Sequence, residues 1–214
     1  MQTNQNQQLE PQDVLPDNLP SLGFGEEELS FWDKFKGHLI NLFIFVAVVL
    51  SIMLVVHKFI AEPHKVSGSS MVPNFKDGDF IITNKIATNY YPLHRGEIII
   101  FTSPRDASKV FIKRIIALPQ DKIRIQDGKV YLNDRQINEP YLPSGTNTSN
   151  QGYLSEGEEI LIPDNQYFVI GDNRGGSSDS REWGPVKKEL IIGQAFLRYW
   201  PINKFGIILH PLDL

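Results

Sequence analysis

The chain has 214 residues, with 21 Lys and Arg against 25 Asp and Glu and 41% hydrophobic residues. That is enough apolar material for one core, and no basic stripe is interleaved with aromatics, so nucleic acid is not an expected partner. There is no cysteine, which excludes disulfides, thiolate nucleophiles and cysteine-ligated zinc.

Residues 1–37 open the chain with Glu10, Asp13, Asp17, Glu26, Glu27 and Glu28 and no Lys or Arg before Lys34. This stretch reads as a disordered acidic tail. The run Leu39–Val56 is apolar apart from Asn41 and Ser51. A helix of about 20 such residues is apolar on every face and spans ~30 Å, so residues 38–60 are expected to be a transmembrane anchor. A cleavable leader would need a short basic start and a small-x-small site. The sequence offers a long acidic leader and Phe59-Ile60-Ala61-Glu62 instead, so the anchor is read as uncleaved. Lys34 and Lys36 precede it and Lys58 and Lys65 follow it, and this balance does not orient the span.

From residue 61 to 214 the pattern changes to short β-branched and aromatic runs divided by turns, which predicts a mainly β, antiparallel domain. The expected strands are Phe80–Thr83, Glu97–Thr102, Val110–Ile116, Lys122–Gln126, Lys129–Leu132, Tyr167–Ile170 and Gly193–Trp200. Asp127-Gly128 is a two-residue hairpin signal and Asn133-Asp134 a second turn. Residues 139–159, loaded with Pro, Ser, Gly, Asn and Thr, read as a long mobile excursion. A helical stripe is suggested only at Val186–Ile192.

Three stretches carry chemistry: Ser67-Gly-Ser-Ser70-Met-Val-Pro73, Phe111-Ile-Lys113-Arg114, and Gly171-Asp-Asn-Arg-Gly-Gly-Ser177-Ser-Asp179-Ser-Arg181-Glu-Trp-Gly184. Strand alternation places Phe111, Lys113 and Ile115 on one face and Ile112, Arg114 and Ile116 on the other. A lysine between two large apolar neighbours is expected to be desolvated rather than to snorkel to solvent, and desolvation would lower its pKa as a general base requires. An unshifted lysine, with a pKa of ~10.4, would be neutral in under about 1% of molecules at neutral pH. A nucleophile elbow is absent, because Val72 stands where it needs glycine, and no serine has lysine three positions later. His38, His57, His64, His94 and His210 sit in no recognisable catalytic or metal-binding context.

The three stretches, in this order behind an N-terminal anchor, resemble bacterial type I signal peptidase (leader peptidase). The resemblance covers Val66–Gly184 and includes Arg95-Gly-Glu-Ile-Ile-Ile-Phe101. It implies a signal-peptidase-like antiparallel β domain and a Ser-Lys dyad serine endopeptidase with no metal or organic cofactor. By position, Ser70 is similar to the nucleophile, Lys113 to the general base and Ser177 to the serine that orients that base. Asp179 and Arg181 would form a supporting ion pair. Gly68 stands where some members have a serine that binds the oxyanion, which leaves the Ser70 backbone N–H as the donor. Ala117 and Gln120 replace common glycines and Asn74 a common threonine.

The implied substrate is an extended signal-peptide segment of an exported preprotein, with Val66, Met71, Phe75, Phe111 and Ile112 as expected pocket walls. The implied setting is a bilayer of the bacterial cell (inner) membrane type, with the tail cytoplasmic and the β domain outside. The sequence does not fix the oligomeric state. Two alternatives stand beside this reading. A self-cleaving repressor would carry a DNA-binding helix pair in place of the span. A catalytically silent anchored binding protein would have no use for intact Ser70, Lys113 and Ser177.

Overall fold

The computed structural model of the chain describes residues 30–209 and divides between Ala47 and Val48 into two units. Helix α1 covers Phe31–Val55 with no buried residue. It starts where Asp33 N and Lys34 N donate to Ser30 O, with Asp33 in the first turn, where the helix dipole favours an acid. Thus residues 31–37, expected as part of the tail, are helical, and the anchor helix starts at Phe31 rather than at residue 38. Nucleation is the costly step of helix formation, so the apolar run propagates backwards through Lys36 and Lys34 at the gain of one hydrogen bond per residue. The rest of the acidic stretch lies outside the described residues. One π turn, Val56–Ile60, follows α1, and Phe31–Ile60 is long and apolar enough to cross a membrane.

Twelve strands follow: β1 (Ala61–Lys65), β2 (Phe80–Asn84), β3 (Ile98–Thr102), β4 (Val110–Ala117), β5 (Lys122–Gln126), β6 (Lys129–Leu132), β7 (Arg135–Gln136), β8 (Glu159–Leu161), β9 (Gln166–Ile170), β10 (Val186–Lys187), β11 (Ile191–Trp200) and β12 (Gly206–Ile207). Short helices α2 (Lys85–Tyr90) and α3 (Ser180–Trp183) interrupt them. The large sheet runs β1-β2-β11-β3-β4-β9-β10, with β12 on β11, and the small one runs β7-β6-β5-β8. All pairings are antiparallel.

All seven expected strands form, within two residues at each end. The stripe at Val186–Ile192 is not a helix. Val186 pairs with Tyr167 and is fully buried, and only a single 3-10 turn, Lys188–Leu190, separates it from β11. The strands missed by sequence are short or sit at edges, such as β1, whose Pro63 is tolerated because an edge strand need not donate on both sides. Both hairpin turns form: Asp127 and Gly128 join Gln126 to its partner Lys129, Asn133 and Asp134 join Leu132 to Arg135, and all four residues have positive φ.

The middle of the large sheet is buried on both faces. Ile98, Ile100 and Ile112 point into one core with Val66, Met71 and Phe75. Ile99, Phe101 and Ile115 point into another with Tyr167, Val169 and Val186. This is why β3 and β4 read as continuous apolar runs. A third core joins the end of β4 to the small sheet and takes in Tyr141, Leu154 and Ile162.

The excursion 139–159 is tied down rather than loose. Buried Arg174 donates to Glu139, Thr148 and the Tyr141 hydroxyl, and Arg181 Nη1 reaches Ser149 O at 3.1 Å. Two buried guanidiniums must find acceptors, and the excursion supplies them.

Candidate active site

Ser70 sits on the turn between β1 and β2. Gly68 enters that turn at φ +87, a region that costs glycine nothing, and its N–H donates to Asp77 Oδ1 at 2.8 Å. Met71 and Phe75, both expected as pocket walls, are instead 1% and 2% exposed and anchor the turn in the core.

Lys113 lies mid-β4, opposite Ile99, and is 3% exposed. Its Nζ is 2.9 Å from Ser70 Oγ and 3.0 Å from Ile112 O. Burial pulls the Lys113 pKa down from 10.5 to about 8; the Asp179 and Asp172 carboxylates push back, and the Arg181 guanidinium adds to the fall. Desolvation wins, so about one molecule in ten carries a neutral amine near pH 7.

The third stretch folds against both residues. Asp179 accepts from Arg181 Nε and Nη2, each at 2.8 Å, and from Gly171 N at 3.0 Å. The expected ion pair is therefore present, with both side chains fully buried. The expected bond between Ser177 and Lys113 is not made: Ser177 Oγ is buried without a hydrogen-bond partner. Lys113 Nζ is already engaged by Ser70 and Ile112, and Ser177 packs on Gly171 instead. A Cβ added at Gly171 would lie 2.1 Å from Ser177 Oγ and 2.5 Å from Ser70 O.

Sequence reasoning assigned no role to Gly171, Asp172, Asn173 or Arg114. Arg114 Nε and Nη2 grip Asp172 at 2.8 and 2.7 Å on the far side of β4, and Asp172 Oδ2 also accepts from Asn74 on the Ser70 turn. Asn173 N donates to Ser70 O at 3.0 Å, and Asn173 Nδ2 to Ser69 O at 3.1 Å. The available signal was the density of Gly, Asp and Asn in the third stretch, which reads as a turn until its partner is known.

Val66, Phe111 and Ile112 line a cavity of about 130 Å³ beside Ser70 and Lys113, together with His64, Lys65, Ser67, Ile81, Ile100 and Val110. Along β4, residues Val110–Arg114 pair with β3, whereas pairing with β9 starts at Arg114. Among the described residues no strand pairs with the β9-side edge of Val110–Lys113, which leaves room for an added strand.

A serine hydroxyl in contact with a buried amine of lowered pKa, beside a small cavity of mixed polar and apolar lining, is the equipment of a serine hydrolase. A profile of the family described as "Signal peptidase, peptidase S26" matches residues 39–200. The chain belongs to this family.

Among its signal peptidase relatives, the probable signal peptidase I-2 of Synechocystis sp. is 39% identical over 168 residues, covering 76% of this chain and 72% of the relative. The signal peptidase IB of Staphylococcus aureus is 30% identical over 187 residues, covering 82% and 97%. A solved signal peptidase I from Enterococcus faecalis is 32% identical, with a TM-score of 0.41, covering 48% of this chain and 96% of that one. Signal peptidase membership makes the chain a serine peptidase and a hydrolase, and the repressor and binding-protein alternatives are not favoured. With its N-terminal apolar helix it is a membrane-anchored member.

Proposed function

We propose that this signal peptidase cleaves signal peptides from exported preproteins with Ser70 as nucleophile and Lys113 as general base. The observation that carries the assignment is the 2.9 Å contact between Ser70 Oγ and the buried amine. The substrate adds an extended strand along the free edge of Val110–Lys113, and a small side chain enters the cavity walled by Val66, Phe111 and Ile112.

Neutral Lys113 takes the Ser70 proton as Oγ attacks the scissile carbonyl, and the carbonyl oxygen becomes an oxyanion facing the Ser70 N–H. The Lys113 ammonium then gives its proton to the leaving amine as the C–N bond breaks. In the second half Lys113 deprotonates water, water opens the acyl ester, and Ser70 recovers its proton. The buried Ser177 hydroxyl is an acceptor for the ammonium when it turns from Ser70. Asp179 and Arg181 hold Gly171 and thereby the wall behind Ser177.

The sidedness follows from the substrate. For an exported preprotein the β domain stands on the trans side and the acidic tail in the cytoplasm, and protease added outside spheroplasts digests the domain and spares the tail. The test of the dyad is preprotein cleavage by the wild-type, Ser70→Ala and Lys113→Ala proteins. Both variants are expected to fold, insert and be inactive, because the two groups act as a unit. Substantial cleavage by either would reject the assignment.

A further inference from the structure

We infer that Asn173 is a positioning residue that aims the oxyanion-binding N–H of Ser70, an inference that rests on the Ser70–Lys113 reading above. A peptide unit is planar and trans, so the C=O of Ser69 and the N–H of Ser70 point in opposite directions from one rigid plane. Fixing the oxygen therefore fixes the direction of the N–H. Asn173 Nδ2 donates to Ser69 O at 3.1 Å, while Ser70 N–H itself makes no hydrogen bond among the described residues and is free for a ligand. The amide can face Ser69 O only through its NH₂, because a carbonyl oxygen accepts and does not donate.

The next peptide is held by the same residue, since Asn173 N donates to Ser70 O at 3.0 Å. Both peptide planes flanking the Ser70 Cα are thus gripped from one side chain and its own backbone. Asn173 is in turn seated by Gly176, whose N–H donates to Asn173 O at 3.0 Å. A Cβ on Gly176 would lie 2.7 Å from Asn173 Nδ2, so the amide keeps its place because position 176 has no side chain. Among the described residues no hydrogen bond or ion pair joins Asn173 to Lys113, so the residue acts on the electrophile side of the reaction.

The experiment measures kinetics of the full-length protein in detergent on a preprotein, with affinity for a peptide aldehyde that forms a tetrahedral adduct on Ser70. Asn173→Asp keeps the size and the backbone N–H but turns the NH₂ donor into a carboxylate facing Ser69 O. Gly176→Ala displaces the amide without altering residue 173, at an exposed site without backbone strain. Both are expected to lower kcat by about tenfold to a hundredfold, below the 10²–10³ that follows outright loss of an oxyanion donor. KM should stay at its wild-type value in both, the pH of the basic limb should stay unchanged in Gly176→Ala, which adds no charge, and aldehyde affinity should fall in step with kcat, because adduct and transition state share the oxyanion.

Wild-type kcat in Asn173→Asp would overturn the inference, as would a loss shared equally by KM, or a basic limb displaced in Gly176→Ala. If Asn173→Asp fails to fold, Gly176→Ala decides by the same readouts. The dyad reading stands or falls separately, since inactive Ser70→Ala together with fully active Asn173→Asp would sink only the role of Asn173.

Discussion

Lys113 Nζ lies 5.1 Å from the centroid of the Phe111 ring, so the side chain that shields the amine from water also presents it with the face of a π-system. The two effects oppose each other. Removing water disfavours the ammonium, whereas the ring face favours it by about 0.5–2 kcal/mol. Desolvation is the largest cause of the fall to about 8, and the Asp179 and Asp172 carboxylates oppose it.

Activity should therefore rise with pH along a limb centred near 8 and level off above it, because the neutral amine is the active form. Phe111→Glu adds a carboxylate beside the ammonium and should move the limb to higher pH. Lys113→Arg should be inert, since a guanidinium stays protonated throughout. A pH–kcat/KM profile checks all three, and an acid optimum without a basic-side rise would contradict the assignment of the base.

The same shift is a cost in stability. Unfolded Lys113 holds its proton up to about 10.5 and folded Lys113 releases it near 8, so between these values the unfolded state binds more protons and stability rises with pH. Below about 8 the whole cost is present, about 3 kcal/mol. Lys113→Met removes that cost and two hydrogen bonds, worth about 1 kcal/mol each. It should melt a few degrees higher at pH 7, and its advantage should vanish as pH climbs from 8 to 10.5. Thermal scans in detergent at several pH values measure this, and an advantage constant with pH would refute it.

Gly171→Ala should abolish activity and lower stability, because the new Cβ would sit 2.5 Å from the backbone oxygen of Ser70 as well as against Ser177. Adding Ser177→Gly relieves the second clash and leaves the first, so the double variant should remain inactive. Recovery in the double variant would show that the Ser70 backbone can yield.

Asp179→Ala leaves the fully buried Arg181 guanidinium unpaired and should cost about 3–5 kcal/mol. It also removes the carboxylate that holds the Lys113 pKa up, so whatever folds at low temperature should show its basic limb at lower pH than wild type. A limb displaced to higher pH would mean that the Arg181 charge no longer reaches Lys113.

Much of this protein was legible from local chemistry. Alternation and β-branching marked the seven longer strands, Asp127-Gly128 marked its hairpin through the positive φ that glycine supplies, and Lys113 between Phe111 and Ile115 announced a desolvated amine. What sequence could not decide were the contacts made across long separations. Met71 and Phe75 read as pocket walls because an apolar side chain carries no label for the surface it will meet, and the packing of the turn sends both into the core. Val186–Ile192 has a helical period, but a partner strand captured Val186 first. The excursion 139–159 has the composition of a loose loop, and only the burial of Arg174 and Arg181 elsewhere gives its polar groups an obligation to meet. Sequence singled out Lys113 by its apolar neighbours and Ser70 by the family motif around it; the fold decided which neighbours hold them, because hydrogen bonds such as that from Asn173 to Ser69 depend on where two distant backbones are brought together.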